Sequence, residues 1–210
     1  MKQTIARKLA RLTTNVVVRS PRAWRLLRGV TRRNFDALAP EWDTITAANP
    51  AHIAPYEHAL DALPASPRRA LDLGTGTGAG ALTIARRFPD AEVVGADLAD
   101  GMVERARLKL PADLVDRVRF EIADASQLPY EDASFDLVAH ANMFPFFDEL
   151  QRVLAPNGWA LFAFSGGDQT PIYVPFDRLR RALGERGFTD FANFQAGAGT
   201  ALLARKRDRS

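Results

Sequence analysis

Three glycines alternate in the stretch "ALDLGTGTGAG", residues 70–80, directly after a short apolar run. A strand that turns through glycines into a helix binds ligands at the carboxyl edge of a parallel sheet. Gly74, Gly76 and Gly78 allow the backbone to lie against such a ligand, because a Cβ at these positions would clash with it. The same letters satisfy the relaxed dinucleotide pattern, so the loop by itself predicts a nucleotide-type ligand and does not choose among them.

Acidic residues follow the predicted strands and indicate an adenosine ligand. Asp97 ends the second strand, where a carboxylate can accept hydrogen bonds from both ribose hydroxyls. Asp124 follows the third strand and can accept a hydrogen bond from the exocyclic amino group of adenine. Asp72 lies two residues before the first glycine, and its negative charge suits a cationic ligand better than a pyrophosphate.

Strands that alternate with helices must position these residues. We expect strands at 70–73, 92–96, 118–122, 135–141 and 159–164, and helices at 51–63, 79–87, 101–109, 147–154 and 176–186. This alternation predicts a parallel sheet with right-handed crossovers and helices on both faces. Segments 188–195 and 200–205 have no helix between them, so we expect them to form an antiparallel hairpin at the end of the sheet.

The composition excludes several kinds of site. The chain of 210 residues has no cysteine, and its three histidines lack the spacing of a metal site, so neither disulfides nor a zinc centre are expected. Residues 1–33 contain ten Lys or Arg and no acid, which leaves 18 basic and 25 acidic residues for the rest. An acidic body is a poor candidate for binding nucleic acid.

The basic segment 1–33 predicts two amphipathic helices. Ile5, Leu9, Leu12 and Val16 recur at helical spacing, and "SPRAWRLLRGV" restarts the pattern. Helices packed on the body with a solvated basic face are one interpretation, and attachment to an anionic membrane surface is another. A transit peptide is the least favoured, because the second helix continues into the domain.

Four stretches follow one another along the chain, namely "LDLGTGTG", "VVGADLADGMVERAR", "EIADASQLPYEDASFDLV" and "ELQRVLAPNGWALF". Together they resemble the successive motifs of class I S-adenosylmethionine-dependent methyltransferases, and the resemblance covers about residues 33 to 205. It implies a Rossmann-like α/β domain over residues 34–210, preceded by the basic arm 1–33. The implied sheet has seven strands, mostly parallel with an antiparallel C-terminal hairpin. The implied cofactor is S-adenosyl-L-methionine.

The resemblance also implies roles for individual residues. The glycine loop would approach the methionyl part of the cofactor, which Asp72 would orient. Asp97 would accept the ribose hydroxyls and Leu98 would pack on the adenine. Asp124 would bind the adenine amino group, and Ala125 would offer its backbone N–H. The residues predicted at the cofactor are Asp72, Gly74, Thr75, Gly76, Gly78, Asp97, Leu98, Asp124, Ala125 and His140.

A second resemblance precedes the sheet. "NFDALAPEWD" is similar to the "YDxxAxxWD" segment with which many members of this family close the cofactor site. Phe35 stands where those members have tyrosine, so the hydroxyl contact is missing.

Methyl transfer from a sulfonium is an in-line displacement that depends on alignment and on a site without water. A base is needed only if the acceptor must lose a proton. His140 ends the fourth strand and is our candidate for that catalytic base, and Asn142 could hold an acceptor oxygen. Four residues after the fourth strand would make the acceptor pocket apolar and aromatic, or else belong to the core beneath the short helix, namely Met143, Phe144, Phe146 and Phe147.

Two further groups of residues are candidates for the edge of the acceptor site. His52, Tyr56 and His58 could line a lid or else lie on a helix surface. Asp168 and Tyr173 follow the fifth strand and are candidates for the rim.

These observations predict methyl transfer from S-adenosylmethionine to a small, hydrophobic acceptor. The alternative is a protein that binds the cofactor or a partner without catalysis, and a nicotinamide oxidoreductase is less favoured. No nucleic acid partner and no metal are expected. We expect a cytoplasmic protein, with peripheral membrane contact through the arm and a homodimer as open alternatives.

Overall fold

The computed structural model describes residues 2–47 and 50–208, and within them seven strands form one mixed sheet. The strands are β1 (Arg69–Leu73), β2 (Glu92–Asp97), β3 (Val118–Ile122), β4 (Phe135–Ala141), β5 (Leu154–Phe164), β6 (Phe188–Ala196) and β7 (Gly199–Lys206). Their order is β3-β2-β1-β4-β5-β7-β6, in which the first five are parallel and β7 is antiparallel to both neighbours. The predicted C-terminal hairpin, formed by β6 and β7, is thus confirmed. In the sheet, β7 lies between β5 and β6.

The helices lie on both faces of this sheet. They are α1 (Lys2–Arg19), α2 (Trp24–Leu38), α3 (Trp42–Ala47), α4 (Ala54–Asp61), α5 (Ala79–Arg87), α6 (Asp100–Leu108), α7 (Phe147–Val153) and α8 (Phe176–Gly184). Short 3-10 segments occur at Pro21–Ala23, Ala39–Glu41, Pro50–Ile53, Ala112–Leu114 and Gly167–Gln169. The helix expected at 51–63 is therefore shorter and follows a 3-10 turn.

Neighbouring residues of the central strands belong to two separate cores. Leu71, Val138 and Phe162 are buried in one, whereas Leu137 and Leu161 are buried in the other. Successive side chains of a strand point to opposite faces, so two apolar faces must both be covered. This confirms the predicted arrangement of helices on both sides.

The "APNG" segment, residues 155–158, lies within the range of β5. Phe135 pairs with Leu154, and Leu137 pairs with Trp159. Residues 155–158 of β5 therefore lie opposite the single residue Asp136 of β4. Asn157 has a left-handed backbone with φ of 64°. The segment bulges out of the ladder, and regular pairing starts at Trp159, where the strand was predicted.

The arm packs on the domain at more than one point. Val17 of α1 and Trp24 of α2 are buried in the first core. Arg11 donates to the carbonyls of Asp168 and Thr170, which follow β5. The side chains of Ile5 and Leu9 lie outside the described part of the chain. Residue 33, our boundary between arm and domain, falls inside α2, and the division itself stays a prediction.

Within residues 2–47 and 50–208, no helix combines the length and apolar composition needed to cross a membrane.

Candidate active site

The glycine loop joins β1 to α5 in a left-handed backbone conformation. φ is 69° at Gly74 and 54° at Gly76, a region that residues with a Cβ rarely adopt. The N–H groups of Gly74 and Thr75 donate to the carbonyl of Ala96, at 2.8 and 3.1 Å. The loop is therefore held at the carboxyl edge of the sheet, against the end of β2.

Gly78 contributes to the loop through its conformation. Its φ is 92°, and a Cβ there would lie 2.7 Å from Cζ of Phe120. Gly78 is not among the described residues that line the cavity next to the loop. It allows α5 to start close to β3, and a direct cofactor contact stays a prediction.

Asp97 ends β2 and faces the glycine loop. Its Oδ2 accepts a hydrogen bond from the N–H of Gly76, and its Oδ1 accepts one from the N–H of Ala99, both at 2.9 Å. Burial raises the pKa of this carboxyl, although these hydrogen bonds oppose the increase. Each oxygen keeps a lone pair, so the carboxylate can also accept the two hydroxyl groups of a ribose.

Asp72 lies beneath the loop and is almost completely buried. It accepts hydrogen bonds from the hydroxyl groups of Tyr56, at 2.9 Å, and Thr75, at 2.7 Å, and from the N–H of Ala81. Burial raises the pKa of Asp72 to about 6, although these hydrogen bonds favour the ionised form. Asp72 therefore joins α4, the loop and α5. Tyr56, which the sequence left between a lid and a helix surface, is instead a core residue.

Asp124 is held by the basic arm. Its Oδ1 accepts hydrogen bonds from the indole N–H of Trp24, at 2.8 Å, and from the N–H and hydroxyl of Ser126. Its Oδ2 lies 3.3 Å from Nη1 of Arg28. Burial raises the pKa of Asp124, but the hydrogen bonds outweigh this and hold it below its ordinary value. Asp124 is thus ionised, and it is absent from the described residues that line the cavity.

The segment after α2 covers the loop from above. The rings of Phe35 and Trp42 meet edge to face, with centroids 5.8 Å apart, and a Cβ on Gly76 would lie 3.2 Å from Nε1 of Trp42. Asp43 accepts hydrogen bonds from the hydroxyl of Thr77, at 2.5 Å, and from Nζ of Lys109, at 2.7 Å. These contacts place α3 as a cover over the glycine loop.

A cavity of about 520 Å³ lies between this cover and the sheet. Seven of the residues predicted at the cofactor line it, which are Asp72, Gly74, Thr75, Gly76, Asp97, Leu98 and Ala125. The remainder of the wall is largely apolar and includes Ile45, Ile53, Met143, Phe144 and Ile172. We call the part of the cavity lined by these five apolar residues the apolar chamber. The structure thus brings most of the predicted cofactor residues together beside it.

His140 lies away from this cavity, among the buried residues of β4. Its ring stacks on Phe162, with centroids 4.7 Å apart, and its Nδ1 is 3.3 Å from the carbonyl oxygen of Leu161. Burial lowers the pKa of His140 to about 4, so the ring is neutral at neutral pH. The described residues that line the cavity do not include it. The structure therefore does not support the predicted role of His140 as the base.

Polar groups at the carboxyl ends of β4 and β5 reach the apolar chamber. Oδ1 of Asn142 accepts hydrogen bonds from the N–H of Ser165, at 2.9 Å, and from its hydroxyl, at 3.2 Å. The amide NH₂ group of Asn142 makes neither of these bonds and can donate to a ligand oxygen. His52 also lines the cavity and is the only histidine of the described residues to do so.

Sequence reasoning missed part of the wall. Trp24 and Thr31 of α2 line the cavity, and so do Thr170 and Pro171 after β5. The rim residues that we considered after β5 were Asp168 and Tyr173, their close neighbours. The helical spacing of Trp24, Thr31 and Phe35 put them on one face, but the spacing does not show which element that face meets.

Comparison with known proteins relates this geometry to methyltransferases. A family model described as a methyltransferase domain matches residues 70–158. The malonyl-[acyl-carrier protein] O-methyltransferase of Geobacter sulfurreducens is 33% identical over 192 residues, which cover 77% of this chain and 70% of that protein. The demethylmenaquinone methyltransferase of Deinococcus radiodurans is 45% identical over 107 residues, or 48% of this chain and 44% of that protein.

A solved structure shows the same fold. A chain from the complex between the Haloferax volcanii Trm112 methyltransferase activator and a methyltransferase superimposes with a TM-score of 0.67 at 19% identity, over 83% of this chain and 98% of that one. This chain spans about half the length of several curated relatives that it matches, with 49% and 44% coverage of two of them.

Proposed function

Since this chain belongs to the class I S-adenosylmethionine-dependent methyltransferases, we propose that it transfers the methyl group of S-adenosylmethionine to a small, hydrophobic acceptor. The observation that carries this proposal is the single cavity that Asp97 and the glycine loop share with Phe144 and Ile172. A cofactor and an apolar acceptor bound in one cavity can be held in contact, as in-line transfer requires.

The residues present fit the cofactor. S-adenosylmethionine, when bound, supplies a methyl group activated by a positive sulfonium. Asp97 offers two acceptor oxygens at the edge of the cavity, and Gly74 and Gly76 of the loop line the same cavity. Asp72 and Asp97 both line the cavity, so the wall provides the negative charge that a cation prefers.

The apolar chamber, as the proposed acceptor chamber, determines by its side chains which acceptors we expect. Its apolar side chains favour burial of a ring or an aliphatic chain. Relatives are named for methyl transfer to demethylmenaquinone and to malonyl-[acyl-carrier protein], and both of these acceptors contain oxygen atoms. We propose that the amide of Asn142 binds such an oxygen and that His52 is the candidate base for an acceptor that loses a proton.

A hydrophobic acceptor concentrates in lipid rather than in water. We therefore propose that the protein meets its acceptor as a peripheral membrane protein, through the basic arm. Self-association also stays a proposal, which sedimentation analysis of the full chain would test.

The first experiment is calorimetric titration with S-adenosylmethionine, S-adenosylhomocysteine and NAD. We expect micromolar binding of the first two and none of NAD. Transfer of a labelled methyl group to a demethylated quinol and to a malonyl thioester then tests turnover. Binding without transfer to any acceptor in a broad screen would favour a non-catalytic ligand-binding protein, and binding of NAD alone would contradict the proposal.

Two matched variants test the acceptor side. His52→Ala is expected to slow transfer about 100-fold or more if the acceptor loses a proton. His140→Phe, which alters a buried ring outside the cavity, should leave the rate within about threefold. The opposite ranking of the two variants would restore His140 as the base.

A further inference from the structure

Helix α2 presents two opposite faces with different chemistry. Trp24, Thr31 and Phe35 lie on the inner face and line the cavity. Helical spacing places Leu26 and Val30 on the outer side, where Leu26 is 85% and Val30 is 49% exposed. Exposing two aliphatic side chains one turn apart to water is unfavourable, by about 25 cal/mol for each Å² of apolar surface. The outer side of α2 is therefore a candidate for contact with another surface.

Arginine side chains flank this aliphatic pair. Arg28 and Arg32 are engaged with Asp124 and Asp100 at the domain. Arg22, Arg25 and Arg33 are exposed, and they make no ion pair within the described part of the chain. We use the name outer face of α2 for Arg25, Leu26, Val30 and Arg33 of that helix together with Arg22 of the 3-10 segment before it. This face combines two exposed aliphatic side chains with three arginines that have no ion-pair partner among the described residues.

The preceding helix extends this character. Leu12 and Val16 of α1 lie one turn apart, and both are exposed. Residues 1–33 contain no acidic residue, and Asp36, the acid of α2, is ion-paired with Arg32. The charged side chains within residues 1–33 are thus all positive.

We propose that the outer face of α2 docks on an anionic lipid surface, with Leu26 and Val30 inserted between headgroups that Arg22, Arg25 and Arg33 bind. A helix with aliphatic side chains beside a strongly basic face lies in the plane of a bilayer interface. Long arginine side chains can reach phosphate groups while Leu26 stays in the acyl boundary. This deepens the proposed function, on which it rests, because it names the surface from which a hydrophobic acceptor would enter.

A lipid surface fits the outer face better than an acidic protein does. The aliphatic pair projects from one convex helix, which matches a deformable interface and needs no complementary groove. The inner face of the same helix covers the cavity, so docking would place the cavity next to the lipid. An acceptor could then pass from the bilayer into the chamber with little exposure to water.

Flotation of the full-length chain with vesicles tests the proposal. We expect binding to vesicles of phosphatidylcholine with 30 mol% phosphatidylglycerol, weaker binding at raised ionic strength, and little binding to phosphatidylcholine alone. Near an anionic membrane surface, each Lys or Arg strengthens binding by about fivefold. Removing all three charges in Arg22→Gln/Arg25→Gln/Arg33→Gln should therefore weaken binding by about 100-fold.

Leu26→Asp tests insertion and has a matched control. Leu108 on α6 is 87% exposed, so Leu108→Asp adds the same charge at an equally exposed leucine outside the arm. We expect Leu26→Asp to lose vesicle binding and Leu108→Asp to keep most of it. Equal binding of these two variants, or equal binding of wild type to both kinds of vesicle, would overturn the proposal.

S-adenosylhomocysteine binding, measured by calorimetry on every variant, separates this proposal from the proposed function. Retained binding shows that a variant is folded, so a loss of vesicle binding then belongs to the outer face. If the wild-type chain floats with anionic vesicles but binds neither cofactor form, the proposed function fails and the docking proposal stands. If it is captured only by a soluble acidic protein and by no vesicle, the docking proposal fails.

Discussion

The indole N–H of Trp24 donates a hydrogen bond to Oδ1 of Asp124 across 2.8 Å. Trp24 is 4% exposed, and its ring meets those of Phe144 and Phe146 edge to face, at 5.3 and 5.4 Å. One arm residue therefore contacts both the carboxylate expected at the adenine and the aromatic residues beside the acceptor chamber. Trp24 thus links the basic arm to the residues expected around the adenine and around the acceptor.

Trp24→Phe should loosen the arm. The change keeps an aromatic ring but removes the N–H, so a hydrogen bond to a charged group is lost, at about 1.5–3 kcal/mol of the free energy of unfolding. We expect faster hydrogen exchange in α2, measured by mass spectrometry, than in β1. Trp159→Phe on β5 is the control, and equal exchange of α2 in both variants would contradict a role for the Trp24 hydrogen bond.

Asp97→Ala should weaken cofactor binding strongly. The variant removes the acceptor oxygens for the ribose and also releases the N–H groups of Gly76 and Ala99. Leaving buried hydroxyls without partners costs about 1–3 kcal/mol, so affinity for S-adenosylhomocysteine should fall by about 100-fold in calorimetry. Asp113→Ala, at an exposed acid, should keep the wild-type affinity. A change below about threefold for Asp97→Ala would remove Asp97 from the cofactor site.

Gly76→Ala should impair the cover over the loop. Its φ of 54° is strained for alanine, and the new Cβ would lie 3.2 Å from Nε1 of Trp42. We expect weaker cofactor binding and a lower unfolding midpoint in urea, with a cost of about 1–2 kcal/mol from the left-handed conformation alone. Gly184→Ala in α8 is the control, because nothing lies within 4 Å of its Cβ position. That variant should be neutral or slightly stabilising.

Asp72 should make stability depend on pH. Its pKa rises from 3.8 in the unfolded chain to about 6 in the folded protein, because the carboxyl is buried. The folded state then binds the proton more tightly, so this contribution is fully present below pH 3.8 and is lost as pH rises through 6. The free energy of unfolding that is lost in this way amounts to about 3 kcal/mol at most.

Asp72→Asn isolates this contribution. The variant has no carboxyl to ionise, so its free energy of unfolding should fall less than that of wild type between pH 4 and pH 7. Urea titrations at several pH values give the comparison, and the other titrating groups cancel because they are common to both proteins. Parallel pH profiles would show that Asp72 ionises without cost in the folded state.

The fold was largely predictable because each strand and helix has a local pattern. The strands and the helices α5 to α8 begin within a residue or two of their predicted positions, and β5 is the exception. The glycine loop was equally visible, since a left-handed backbone such as that at Gly74 and Gly76 favours glycine.

Contacts between distant segments were not predictable in this way. Trp24 and Asp124 are 100 residues apart, and neither residue type specifies the other. The sequence left Tyr56 between a lid and a helix surface, and only the packing of α4 on the sheet shows that its hydroxyl donates to Asp72. The position of His140 at the end of β4 suggested access to the cavity, but the pleat of the strand turns its ring onto Phe162.

The hydrogen bonds of Arg11 to the segment after β5 have a consequence for the order in which the chain matures. Arg11 is synthesised early, and its acceptors on Asp168 and Thr170 follow 157 and 159 residues later. At about 5–20 residues per second, a ribosome needs roughly ten seconds or more to produce them. During that interval the first helices have no finished domain to pack on. The contacts of Arg11 with the segment after β5 can therefore form only after most of the strands have been synthesised.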